Sequence, residues 1–428
     1  MAAYQEIRLK NGLQLSAYQL PHLHSLEMGV YFKGGSLYEN RSNQGISHLL
    51  EHLCFRNLGG LPQGQLYRRL DAMGAKLNGT TYPECVIFQM RVVPRFFDDA
   101  FELMLRLFAP GKWTGEEIDA EKQVVLRQIE NDEQNFLWDM STRYFRTKAG
   151  AFPGMGTKDS VLRMSSDLIH QWKKKIFRPS NACFVLTGNF SDGMLEKARE
   201  VLEELPDLGP CLFEQPSPMS FCMRDESSDE LFNADYDLAQ VLLYFDIDSN
   251  LVFPACADML SHMTGDGLSS VLFLELREKH ALVDDISSEV VAVGPYRRFA
   301  IDYEVTHDRL AESLELVFSI LGKLRRFISH EQMDSSRIYF TENESIILDK
   351  AGSMNERLGM AFMAGNTDEC DVEVRMRLHG DLTAEDIQDA AQAIFRPETL
   401  SCFIEKNPKK VKAADLRETL KKCRELLR

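Results

Sequence analysis

The chain has 428 residues, 44% hydrophobic and 27% charged, which is the profile of a globular protein too long for one compact core. Its 49 basic and 65 acidic residues leave a net charge of −16, which argues against nucleic acid or an anionic membrane as the main partner and leaves extended or basic peptides open. No apolar run reaches the roughly 18 residues of a membrane span, and the opening MAAYQEIRLKNGLQLSAYQL alternates like folded protein, without a signal-peptide core. The nine cysteines are scattered with no Cys-x-x-Cys pair, as expected for reduced thiols in a cytoplasmic protein.

In chain order, EIRLKNGLQLSAYQL predicts a hairpin about a type I′ Asn11-Gly12 turn. SLEMGVYFKGG predicts a strand, and helices are expected over 43–58 and 63–74. AKLNGTTYPECVIFQMRVV predicts a long strand region, with a hairpin as the alternative, followed by helices over 95–108 and 115–138, the strand ACFVLTGNF, and a helix capped by Ser191. Composition then shifts to proline and charge over 206–230, which is the expected linker between an N-terminal half, 1–210, and a C-terminal half, 231–428. The same order recurs beyond it. LAQVLLYFDID parallels SLEMGVYFKGG, and LSCFIEKNPKKVKAADLRETLKKCRELL parallels ACFVLTGNFSDGMLEKAREVLEEL. The expected fold class is α+β: two similar, duplicated halves, each a mostly antiparallel sheet with helices packed on it.

The chemistry concentrates in GISHLLEHLCFRN, residues 45–57. On a helix, positions four apart share a face, so His48 and His52 can offer imidazoles to one metal ion, with Glu51 on the same side. Leu49, Leu50 and Leu53 are expected to bury the opposite face. His-x-x-Glu-His is the inverted zincin pattern, and its chance occurrence in a chain with this many histidines is on the order of one or two per cent. Zn2+ is the expected cofactor: it needs three protein ligands, and a carboxylate beside it takes the proton from water. Glu51 fits that catalytic role. The other histidines, including His262 at the corresponding point of the second half, have no partner pattern.

This stretch resembles the pitrilysin and mitochondrial processing peptidase family of zinc peptidases, at the size of its short, single-subunit members. FKGGSLYENRSNQGISHLLEHLCFRN, LDAMGAKLNGTTYPECVIFQMRVV, EKQVVLRQIENDEQN and SSVLFLELREKHALVDDISS carry the resemblance across the chain. It implies that His48 and His52 bind zinc, that Glu51 is the general base, and that Glu121 supports the site from the third-ligand helix. It further implies clam-like dimers around a peptide chamber. The strand after the metal helix would pair with an extended peptide substrate, with Asn78, Thr80 and Thr81 at its rim.

Two positions depart from the family. Where it has a third glutamate ligand, this chain has Gln128, a neutral amide oxygen. That leaves a working His-His-Gln site, a weakened or metal-free site, or an engineered change. Glu121 is the only acidic residue on the same face, about 10 Å away along the axis, and could replace Gln128 only if the helix shifted. Arg277 matches a substrate-holding arginine, but the tyrosine expected seven residues on is Asp284, which is free to pair with Arg277 instead. The expectation is a zinc-dependent endopeptidase. The alternative is a silent subunit that binds peptide and supports an active partner. A heterodimer with a related chain is favoured over a homodimer.

Overall fold

The computed structural model describes residues 4–132, 154–210, 229–293, 296–365 and 370–428. It divides into two compact units, Met1–Ser217 with Glu344–Val374, and Pro218–Asn343 with Arg375–Arg428. The first unit is built on strands β1 (Tyr4–Arg8), β2 (Gln14–Gln19), β3 (Leu26–Lys33), β6 (Lys76–Thr81), β7 (Cys85–Val92) and β8 (Ala182–Gly188), with a separate two-residue pair, β4 (Asn57–Leu58) and β5 (Leu61–Pro62). Its six-stranded sheet runs β1-β2-β8-β3-β7-β6, antiparallel except for the β2–β8 pair. Helices α1 (Ile46–Arg56), α2 (Gln63–Met73), α3 (Phe97–Leu105) and α4 (Gly115–Asp132) follow the predicted order.

The first hairpin forms, but not with the expected turn. A type I′ turn needs positive φ at both central residues. Gly12 has φ +85°, whereas Asn11 is not among the positive-φ residues. Asn11 turns the chain with its side chain instead: Oδ1 accepts from the Leu13 amide at 3.1 Å, and Nδ2 donates to the Leu202 carbonyl at 2.7 Å.

β3 is buried from Leu26 to Phe32 because both its faces are covered. One face joins a core containing Leu49, Leu50, Leu53 and Phe88. The other is covered by the helix Ala351–Ala364, which the sequence reading had assigned to the C-terminal half. Asn355 of that helix accepts from the Tyr31 hydroxyl at 3.0 Å and donates to the Val185 carbonyl at 3.1 Å. At Gly359 a β-carbon would stand 2.2 Å from the Tyr31 ring, so only glycine lets helix and strand approach this closely.

The second unit carries β9 (Asp229–Asn233), β10 (Leu238–Ile247), β11 (Ile286–Val293), β12 (Tyr296–Thr306) and β13 (Leu400–Lys406), ordered β11-β12-β10-β13-β9. β9–β13 is its parallel pair. This is the order β6-β7-β3-β8-β2 of the first sheet with every pairing direction kept. The two halves are therefore one α+β design used twice. Of the expected linker, 211–228 lies outside the described residues, as do 133–138 of the long predicted helix. Seven cysteines are buried, while Cys211 and Cys222 are outside the described residues. Among the described residues no helix is long and apolar enough to cross a membrane.

Candidate metal and catalytic site

The histidine helix α1 is fixed at its start by groups from elsewhere in the chain. Gly45 precedes it at φ +82°, and a β-carbon there would stand 2.2 Å from the Met155 carbonyl oxygen. The Glu39 carboxylate accepts from the Gly45 and Ser47 amides at 2.7 and 2.9 Å, satisfying N–H groups that no helical carbonyl reaches. Burial pushes Glu39 up to about 7 against the pull of those hydrogen bonds. Ser47 Oγ accepts from the Gly35 amide at 3.1 Å and from Trp172 Nε1 at 3.0 Å. Leu49, Leu50 and Leu53 are fully buried, and His48 and His52 emerge on the other face with side chains each 16% exposed.

The two imidazole rings lie 4.6 Å apart. His48 Nε2 is 3.1 Å from Gln128 Oε1 on α4, close to the roughly 3.3 Å that separates two donors on one tetrahedral zinc. His52 directs Nδ1 to Glu121 Oε1 at 2.8 Å, which leaves its Nε2 as the nitrogen for a metal, the usual way a carboxylate orients a ligating histidine. Arg56 donates to the other Glu121 oxygen. Glu121, expected to support the site rather than to bind metal, is thus held between His52 and Arg56. Burial works against its ionised form, but the hydrogen bonds from His52 and Arg56 prevail and its carboxyl sits below the usual range. Burial likewise opposes the charged form of His48, yet the neighbouring Glu51 carboxylate raises it overall. The two imidazole rings and the Gln128 amide oxygen are thus neighbours across α1 and α4, and they are neutral donor types of the kind zinc accepts. Among the described residues no three His, Cys, Asp or Glu side chains gather as a metal group.

Glu51 stands beside these donors, its Oε2 3.6 Å from His48 Nδ1. Thr81 at the end of β6 donates to the same oxygen at 2.7 Å. Gly79 faces the other: a β-carbon on Gly79 would fall 2.6 Å from Glu51 Oε1. β6 is an edge of its sheet, with Asn78 and Thr80 exposed along it. Neither the Thr81–Glu51 nor the Arg56–Glu121 contact is legible in the sequence, where Thr81 is only part of the strand rim. Arg277 lies in the second unit on a π-helical turn, Phe273–Lys279, exposed, 4.8 Å from the Phe273 ring. Its ion-pair partner is Glu278 at 3.8 Å rather than the expected Asp284.

The second unit repeats this hydrogen-bond pattern in muted form. His262 directs Nδ1 to Ser336 Oγ at 3.0 Å, as His52 does to Glu121, and Ser336 occupies the same turn of its helix, His330–Ile347, as Glu121 does of α4. The Ser261 and Ser288 hydroxyls lie 3.3 Å apart, with Ser261 next to His262 as Glu51 is next to His52. Hydroxyls stand in for carboxylates, so the geometry of the design persists without its charge. His262 was read as a residue without a partner because Ser336 is 74 positions away.

Comparison with known proteins agrees with this architecture. Residues 18–150 match the model for insulinase (peptidase family M16), and residues 163–338 match the peptidase M16 inactive domain, together more than half of the chain. The chain belongs to the M16 family of insulinase- and pitrilysin-type peptidases. An uncharacterized zinc protease of Rickettsia felis is 24% identical over 407 residues, covering 94% of this chain and 97% of that one. A protease from Helicobacter pylori has the same fold, with a TM-score of 0.84 at 20% identity over 94% of this chain and 99% of that one. The periplasmic protease PqqL of Escherichia coli superposes with a TM-score of 0.77 at 14% identity over 99% of this chain and 50% of that one.

Proposed function

We propose that the chain is a zinc-dependent endopeptidase acting on peptides or unfolded segments, with zinc held by His48, His52 and Gln128. The observation that carries this reading is the convergence of the His48 and His52 imidazoles with the Gln128 oxygen, 3.1 Å from His48 Nε2, beside an oriented carboxylate. Zinc, when bound, supplies a Lewis acid that makes water acidic and polarises a carbonyl. Glu51 is the general base: with Oε2 engaged by Thr81, Oε1 takes the proton from the attacking water and passes it to the departing amine. The exposed polar groups of β6, with Asn78 and Thr80 along it, hold an extended substrate through main-chain hydrogen bonds, and Arg277 is proposed to contact substrate. Glu121 fixes the His52 ring. The names of the zinc-protease relatives support the metal and the reaction. Buried cysteines such as Cys54, Cys85 and Cys183, with no Cys-x-x-Cys pair in the sequence, support a reducing cytoplasm.

Because the chain matches half of PqqL, we propose that it works as one half of a dimer, preferably with a related chain. One observation favours a second reading, a silent supporting subunit: the third donor is a neutral amide, which binds zinc less tightly than a carboxylate. Zinc content and hydrolysis of an internally quenched peptide decide between them, measured for the natural chain, Glu51→Gln and Gln128→Glu. About one zinc per chain with hydrolysis that Glu51→Gln abolishes supports the peptidase. A natural chain that stays empty and silent, while Gln128→Glu loads zinc, supports the second reading. Full activity of the isolated chain as a homodimer would sink the heterodimer.

A further inference from the structure

A metal held by two imidazoles and an amide keeps its full double charge, because no ligand is anionic. Such a centre draws in any nearby carboxylate, and a base that becomes a ligand no longer accepts protons. Two carboxylates border this centre. Glu121 is committed to His52 and Arg56. Glu51 has no such cation clamp. Its Oε2 is 3.6 Å from His48 Nδ1, and its oxygens are met from β6 by the Thr81 hydroxyl at 2.7 Å and by the bare Cα of Gly79. We propose that Thr81 is the positioning residue that holds Glu51 off the metal, so that the carboxylate serves as proton acceptor and not as a fourth ligand. The inference rests on the peptidase reading above. It gives the edge strand a second duty: the strand that presents main-chain groups to a peptide also aims the base. It also couples two features of this chain, since restraint of Glu51 matters most where Gln128 leaves the metal charge uncompensated.

The test compares Thr81→Val, which keeps the shape and removes the donor, with Thr81→Ser, which keeps the donor. Two readouts are taken: zinc affinity by chelator competition, and kcat and KM on a quenched peptide. Thr81→Val is expected to bind zinc about tenfold more tightly, as the released carboxylate reaches the metal. Its kcat is expected to fall about tenfold to hundredfold with KM unchanged, and Thr81→Ser to restore both. An unchanged zinc affinity in Thr81→Val overturns the proposal, as does a loss of zinc and activity in equal proportion that Thr81→Ser fails to rescue. If the natural chain binds zinc but hydrolyses nothing, the peptidase reading fails by itself, and the affinity comparison still judges the role of Thr81. If the natural chain does not load zinc, the same pair is compared in a Gln128→Glu background, where the added charge makes a smaller rise in affinity for Thr81→Val the expected result and no rise at all overturns the proposal.

Discussion

Substituting Gly79 by alanine tests the closeness of β6 to the base. The added β-carbon would lie 2.6 Å from Glu51 Oε1, 2.9 Å from Glu51 Cγ and 2.8 Å from the edge of the Phe55 ring. Ordinary contact begins near 3.4 Å, so something must retreat by about 0.8 Å. The carboxylate is the terminus of a flexible side chain, whereas α1 is anchored by fully buried leucines, so Glu51 moves and the helix stays. The stability cost then sits at the low end of overpacking, about 1 kcal/mol, or a few degrees in Tm. The catalytic cost is far larger, because misplacing a reacting group by about 1 Å lowers the rate about hundredfold. The assay pairs calorimetry and zinc content with kcat on a quenched peptide. A variant that keeps kcat within about threefold while remaining folded and loaded refutes the placement of Glu51, and so does one that loses more than about 3 kcal/mol of stability.

Gly45→Ala forces a side chain into left-handed backbone at φ +82° with its β-carbon 2.2 Å from the Met155 carbonyl. A loss of 3 kcal/mol or more is expected in urea denaturation, since the conformational penalty and the clash add. Lys173 is buried, which lowers it to about 8 from 10.5, while its ammonium donates to the Leu107 carbonyl at 2.5 Å. Between these values the unfolded chain holds a proton that the folded chain has released, so stability rises with pH from 8 to 10.5 by up to about 3 kcal/mol. Denaturation midpoints across that window are expected to climb in the natural chain and to lose that climb in Lys173→Met.

The metal motif was legible because it is local: two histidines one turn apart, with leucines filling the opposite face, need no tertiary information. The strands β3, β6 and β7 were legible for the same reason, as alternation and apolar runs state their burial directly. What escaped the sequence was partnership across distance. Thr81 and Glu51 are 30 positions apart and Arg56 and Glu121 are 65 apart, and nothing in either residue names the other. Asn11 was misread because Asn-Gly fits two turns, and the choice fell to a side-chain hydrogen bond with the carbonyl of Leu202. Ala351–Ala364 falls within 231–428 by its order in the chain, although it packs in the first unit. Asn355 and Gly359 decide the matter by fitting Tyr31.

That returning helix changes what a broken chain would do. A protease that nicked the polypeptide between 206 and 230 would not release an intact first unit. The downstream piece would still own the helix that seals the second face of β3, so the two fragments would be expected to travel together through a sizing column and to part only under denaturant. By the same logic, a gene shortened to the first 217 codons would leave Tyr31 and the Thr187 hydroxyl, which donates to the Ala351 carbonyl at 2.8 Å, facing solvent. The inheritable piece here is the whole interleaved chain, although its architecture is one half written twice.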